Sequence, residues 1–323
     1  QLKDLWVYID QASRKLGDTN AQALNTIISS QLKQGAILPE DLNPIRVFAN
    51  HSIISQSYTN KCSLAKVKNS KDKLNIEQIK LGIKELEDSI LKGNRIIIER
   101  LKSAADYPNS KTGKFYPVWP LQLIFNNIAW YLAYEDAEKT LKGNGLIQVE
   151  RLDRISLNSV EPNNIRSKEE KNLSLLILNK LMSISGGIYF GDDAKLQRDL
   201  YMAENNNDIQ KYFVKVKILT NERIYKFLRE GLSRYPLNQI RMSKPLSGDI
   251  WKVTNPKVFT LKPNPKSTHP FPIEIFLPSW TVDGDVDFHK WLFGFSDGIK
   301  IESPVSLRSR HIKFAQAITN LYK

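Results

Sequence analysis

The sequence predicts an α+β protein laid out in successive zones, and three observations carry that prediction. Apolar residues recur at helical spacing in the first sixty residues and again between residues 75 and 91. The stretch 115–155 is dense in β-branched and aromatic residues broken by short polar turns. The last third alternates strand-like and helix-like runs in the order β-α-β-β-α-β.

At the N-terminus, Leu2, Leu5, Trp6, Ile9 and Ala12 share one helical face, and Ala21 to Leu32 repeats an apolar stripe after the capping run Asp18-Thr19-Asn20. Gly35-Ala36-Ile37-Leu38-Pro39 closes the second helix, and no basic recognition helix follows it. A degenerate winged helix and a helical linker both fit, with the linker preferred. Lys61, Lys66, Lys68, Lys71 and Lys73 among Ser and Asn then read as a solvated tether, closing a first region over residues 1–74.

Ile76, Ile79, Ile83, Leu86 and Ile90 are spaced for a helix that Lys92-Gly93-Asn94 stops, and Arg95 to Leu101 reads as a strand. Leu121–Phe125 and Ala129–Tyr134 flank the turn pair Asn126-Asn127, whose residues tolerate the positive φ of a tight hairpin. A third run, Gly145 to Ile155, alternates apolar and polar residues, so three antiparallel strands make a sheet. Residues 156–210 read as a connector holding one leucine-rich helix, Lys168 to Ile184, between Asn163-Asn164 and Gly186-Gly187. Its apolar residues occupy more than one face, which predicts burial between domains or in a dimer contact.

In the last third, Tyr212–Leu219, Leu237–Met242, Ile273–Leu277 and Gly298–Glu302 read as strands, and Asn221–Tyr235 and Asp285–Phe295 as helices. That order is the ferredoxin-like motif. A final helix, Pro304 to Tyr322, starts with Ser303 as its cap and carries the stripe Leu307, Phe314, Ala315, Ile318 and Leu321. Arg308, Arg310 and Lys313 form its basic face, read as solvated surface or as a nucleic-acid patch together with Arg223, Arg229 and Arg234.

Composition narrows the function classes. Among 323 residues, 47 Lys and Arg against 34 Asp and Glu give a net charge of +13 and a pI near 9.5, a field that draws phosphate polyanions. The single cysteine, Cys62, cannot close an intrachain disulfide, so a reducing cytoplasm is the expected compartment. No apolar run approaches the roughly 20 residues that span a bilayer, and QLKDLWVYIDQ is not a signal peptide. His51, His269, His289 and His311 lie far apart without a cysteine cluster, so no metal site and no cofactor is expected. Asp283, Asp285 and Asp287 imitate a calcium loop, but glycine falls at its second position and Gly294 stands at its twelfth, so helix capping is the better reading. With neither a phosphate-binding GxxxxGK nor a GxSxG elbow, no enzymatic activity is expected.

The ordered set Pro120-Leu121, Trp130-Tyr131-Leu132 and Arg151-Leu152-Asp153-Arg154-Ile155 resembles the WYL domain of bacterial transcription regulators. That resemblance implies a small Sm-like, SH3-like antiparallel β-barrel over residues 75–160. Trp291-Leu292-Phe293-Gly294-Phe295, Asp297-Gly298, Pro304 and Leu307-Arg308 resemble the C-terminal extension that accompanies such domains, here residues 211–323 after the connector 161–210. The chain departs from the family where a first-strand tyrosine is usual and at the aromatic hairpin entry Phe115-Tyr116-Pro117-Val118-Trp119. Its long connector and basic character look similar to the cyanobacterial, CRISPR-associated branch.

What the resemblance implies is a homodimeric regulator that binds DNA and senses a ligand, a nucleotide or single-stranded nucleic acid, at the barrel. The first residue is Gln rather than Met, so a removed upstream segment is expected, and the resemblance implies that a winged-helix DNA-binding domain usually stands ahead of the WYL domain. For the site, Arg151 with Tyr131 or Tyr134 can hold a phosphate or a stacked base. Arg154, Arg308 and Arg310 are further candidates, and Trp130 is read as core. Strand alternation sends Arg151 and Arg154 to opposite faces unless a bulge or strand end intervenes. The competing reading is a local Arg–Asp153 bridge that orders the strand end. An RNA-binding or RNA-processing accessory factor is the alternative function.

Overall fold

The computed structural model describes residues 45–47, 64–66, 76–101, 114–126, 129–141, 144–203, 212–232, 235–244 and 256–323. The chain divides into residues 1–46 and 47–323. Of the first unit only Ile45 and Arg46 are described, in strand β1 (Ile45–Val47), where helix was expected. β-Branched Ile45 and Val47 favour extended backbone there. The remaining helical expectations for residues 1–60, most of the lysine-rich tether, Cys62, His51 and Arg234 lie outside the described residues. Within that tether, however, Leu64 is fully buried and β2 (Ala65–Lys66) pairs in parallel with Ser156 and Leu157, so this part is not solvated chain.

Helix α1 (Ile76–Lys92) leads into β3 (Asn94–Arg100), β4 (Phe115–Asn126), β5 (Ala129–Leu141) and β6 (Asn144–Arg151). A 3-10 turn, Leu152–Arg154, then feeds β7 (Ile155–Ile165). The strands run in the order β2-β7-β3-β4-β5-β6, antiparallel except for β2 on β7. Asn126 is itself the last paired residue of β4, opposite Ala129.

Two expectations are corrected here. The hairpin strands are longer than their densest apolar runs, because Phe115–Pro120 and Glu135–Leu141 continue the same ladders. The start of the presumed connector is β7, whose run from Asn158 to Asn164 lacks an apolar pattern. Pairing with β3 holds it extended despite its composition. Pro162 is tolerated because the ladder shifts there, Arg95 facing Glu161 and Asn94 facing Ile165.

One face of this sheet buries Ile96, Val118, Leu123, Leu132 and Leu146 completely. The opposite face buries Leu121, Ile124, Ala133 and Ile147 against α2 (Lys168–Ser185) and α3 (Ala194–Met202). Helix α2 opens on a capping box between Ser167 and Glu170 and ends at Gly186 with φ 62°. Trp280, from the C-terminal part, joins the same apolar cluster and donates its indole N–H to Ser185 at 3.0 Å. The connector helix therefore covers the first sheet and reaches the C-terminal part at its far end, while Leu176 stays exposed. Edge strand β6 is satisfied by a side chain: the Gln197 amide accepts from Ile147 N–H and donates to Ile147 C=O, both at 2.9 Å, acting as a one-residue neighbouring strand.

The C-terminal elements are β8 (Phe213–Thr220), α4 (Glu222–Gly231), β9 (Ile240–Met242), β10 (Phe271–Pro278), α5 (Ser279–Gly284), α6 (Val286–Phe293), β11 (Ile299–Ser303) and α7 (Val305–Leu321). Their strands form one antiparallel sheet in the order β11-β8-β10-β9. Its core gathers Val216, Ile218, Ile273, Ile275 and Ile301 against Leu228, Phe288 and Leu292. Asp285 accepts from the backbone of Asp287 and Phe288, which confirms its capping role. Ser303 does not cap α7; Pro304 stands at that position, and the Ser303 hydroxyl donates to Lys215 C=O instead. Leu307 is buried, but Phe314, Ile318 and Leu321 of the same stripe are exposed, since the helix runs past the core that its first turns cover.

Gly186 has no room for a side chain, because a Cβ there would lie 2.2 Å from the Tyr235 ring, and its φ is left-handed. Gly186→Ala should therefore destabilise the chain by about 2–4 kcal/mol in urea unfolding. His289 and His311 both stack on Phe293, at 5.6 and 4.9 Å, and burial holds both below the ordinary histidine value. The folded state then binds fewer protons than the unfolded chain. Their contribution is complete above about pH 6.5 and is lost as pH falls below it. Replacing both with Gln should flatten the change in urea midpoint between about pH 7.5 and pH 5.

Candidate functional site

Tyr131 and Arg151 are direct cross-strand partners on β5 and β6, so they stand side by side on the face that also carries the connector helices. Tyr131 packs at the rim of the cluster formed with α2 and α3 and stays partly exposed. The sheet ends at Arg151, and the guanidinium turns back onto Asp153, Nε donating to Oδ1 at 2.9 Å and Nη2 to Oδ2 at 2.5 Å. The predicted Arg–Asp bridge is therefore formed. With side-chain exposures of 24% and 49%, it is a surface pair that contributes about 0–1 kcal/mol and fixes the guanidinium plane more than it stabilises the fold. Arg154 falls in the 3-10 turn rather than on a strand, so the alternation expected between the two arginines is broken by the strand end.

Tyr134 lies apart from this pair. It pairs with Gln148 in the β5–β6 ladder, three positions from Tyr131, and points to the sheet's other face, where it is only 4% exposed. Its hydroxyl is 3.4 Å from both the Tyr116 hydroxyl and Gln148 Oε1. Burial holds the Tyr134 phenol well above the usual range and pushes that of Tyr116 up to about 12, so both stay protonated donors at neutral pH. On the same face Arg100 on β3 reaches Glu150 on β6 at 3.0 Å while only 2% exposed. Strands spaced about 4.8 Å apart put β3 and β6 roughly 14 Å from each other in a flat sheet. A direct bond across that span requires the sheet to curl. Trp130 is buried, as expected.

The other arginine candidates do not converge on this place. Arg308 is exposed on α7, whereas Arg310 donates Nη1 to the carbonyls of Val282 and Asp283, covering the C-terminal end of α5.

Sequence reasoning missed a second charged centre. Glu135, 3% exposed, accepts from Arg166 Nη2 at 2.9 Å, from the Ser174 hydroxyl at 2.5 Å and from Gly145 N–H at 2.5 Å. A Cβ at Gly145 would lie 2.5 Å from Asp136 C=O, so only glycine admits this approach. The Arg166 guanidinium also lies over the Trp119 ring at 5.3 Å, with Arg95 at 5.9 Å from the same ring. The visible hint was a glutamate inside an apolar strand, since a carboxylate there needs a partner. Its partners lie 31 and 39 residues away. Among the described residues, no group of three or more His, Cys, Asp or Glu is placed to hold a metal ion.

No protein-family model matches the chain, and no curated protein matches it. Among solved structures it is similar to one described as a CRISPR Cas-related protein, with 15% identity and a TM-score of 0.37 over 73% of this chain and 52% of that one. It is also similar to proteasome accessory factor B/C (PafBC) of Arthrobacter aurescens, with 15% identity and a TM-score of 0.27 over 75% of this chain and 27% of that one. The chain thus spans about half the length of the first and about a quarter of the second.

Removing the carboxylate from the second centre strands a buried guanidinium that is 7% exposed. Glu135→Ala should cost about 3–5 kcal/mol in chemical denaturation, well above the effect of removing an exposed ion pair.

Proposed function

We propose that this chain is a WYL-type transcription regulator that binds nucleic acid, with the β5–β6 end of the first sheet as its ligand-sensing edge. The observation that carries the reading is the pairing of Tyr131 with Arg151, a flat aromatic beside a guanidinium whose plane Asp153 fixes. That pair suits a nucleotide or an unpaired base with its phosphate, because the ring and the guanidinium offer stacking faces and the cation offers charge. Support comes from the ordered motif residues, the curled antiparallel sheet they build, the β-α-β-β-α-β order of the last third and the net charge of +13.

On this reading the first sheet is an Sm-like barrel and the C-terminal part a ferredoxin-like extension. The protein works as a cytoplasmic homodimer without enzymatic activity, and a second copy covers Ile318 and Leu321 of α7 and Tyr322 just beyond it, which are exposed here. The long connector and basic character favour the CRISPR-associated branch. Arg154 adds charge beside the proposed contact, while Tyr134 serves the interior of the barrel.

Fluorescence anisotropy with labelled DNA tests the proposal. Log affinity should fall linearly and steeply with log salt, and absence of binding at low salt would overturn the reading. Arg151→Ala should weaken nucleotide or single-strand binding about tenfold. Its unfolding midpoint should stay close to that of the parent, because the Asp153 pair is a surface pair.

A further inference from the structure

The C-terminal sheet has one covered and one open face. Val216, Ile218, Ile273, Ile275 and Ile301 point into the core shared with α4 and α6. Strand alternation sends Lys215, Lys217, Arg241, Phe276 and Lys300 the other way. The register places Phe276 opposite Lys215, and Glu274 between Lys217 and Arg241. Lys300 stands opposite Leu219. The Lys215 and Lys217 side chains are 50% and 37% exposed, and Arg241 and Lys300 are exposed as well, so the cationic heads reach solution.

Two carboxylates lie among these cations, and each is already matched. Glu274, 10% exposed, pairs with Lys215 at 3.4 Å, and Glu302 pairs with Lys217 at 2.7 Å. Among the described residues, four cations less two carboxylates leave the face at +2 in a chain of net charge +13. The Arg241 guanidinium lies over the Phe276 ring, 5.1 Å from its centroid. This layers a planar cation from edge strand β9 on an aromatic base near the end of β10.

Flat stacking surface and positive charge on one face match a strand of nucleotides whose bases are unpaired. Duplex DNA is a poor fit, because its major groove admits a helix or a two-stranded ribbon and not a four-stranded sheet. We propose that this open face binds single-stranded nucleic acid. A base stacks on the Arg241 guanidinium, which rests on Phe276, and Lys215, Lys217 and Lys300 meet the phosphates. The site lies on a different sheet from Tyr131 and Arg151 and stands independently of the regulator reading.

The test uses the full chain and fluorescence anisotropy with labelled oligothymidylate and oligouridylate of about 12 nucleotides, and the matching duplex as competitor. The single strands should bind more tightly than the duplex. Arg241→Ala should weaken them about tenfold. Lys300→Ala should lower the slope of log affinity against log salt by about 0.7. Both residues are exposed, so circular dichroism should show these variants folded even where Phe276→Ala fails to fold. Binding of either oligonucleotide supports the site, and a preference between them sorts RNA from DNA through the 2′-hydroxyl. The proposal is overturned if Arg241→Ala and Lys300→Ala bind like the parent, or if the duplex competes equally. Loss of binding in Arg151→Ala alone would move the contact to the first sheet and overturn it too, leaving the regulator reading intact.

Discussion

A carboxylate inside an apolar strand must be fully matched or it destabilises everything around it, and Glu135 meets that condition through three separate parts of the chain. Gly145 supplies a backbone N–H from the next strand, Ser174 a hydroxyl from α2, and Arg166 a guanidinium from the segment entering that helix. The cost of desolvating Glu135 and Arg166 is offset only if all these groups arrive together. One ion pair therefore sets where β6 starts, how α2 meets the sheet and where the Arg166 side chain lies across Trp119.

From that anchor the packing extends outward through α2. Leu175, Leu178 and Leu181 cover the first sheet, while Ser185 and Ile184 at its far end bond to Trp280 and Gln239 of the C-terminal part. Buried hydrogen bonds thus join this one helix to the first sheet and to the C-terminal part, whose sheets share no strand. The surfaces left over are chemically distinct. The end of β5–β6 offers tyrosine beside a clamped arginine, and the open face of the second sheet offers lysines around an arginine-covered phenylalanine. Both suit nucleotides, the first as a local contact and the second as a broader platform.

Histidine and tyrosine burial adds a constraint on the conditions under which this arrangement holds. His289 and His311 both stack on Phe293 where α7 leaves the core, and Tyr116 and Tyr134 fill the polar line inside the first sheet. Each is favoured in its neutral form by burial, so the joint at α7 is the acid-sensitive part and the sheet interior the alkali-sensitive part.

Local pattern by itself determined the α+β class, helices α1, α2, α4 and α6, the central hairpin, the Asp285 cap and the β-α-β-β-α-β order of the last third. Each depends on spacing, turn chemistry or capping among neighbouring residues. It also picked out Tyr131 and Arg151, which pairing brings side by side. Strand β7 was missed because residues 158–164 have no apolar alternation, and only the ladder with β3 makes them extended. Type and position leave Tyr131 and Tyr134 as alternatives beside Arg151, and the ladder register places Tyr131 there, because three positions along the strand turn Tyr134 to the opposite face. The Glu135–Arg166 pair, the Arg100–Glu150 bond and the Leu219–Lys300 pairing of the second sheet join residues 31, 50 and 81 positions apart. Such meetings depend on strand order and sheet curl, which no local periodicity encodes, and so only the tertiary structure decided them.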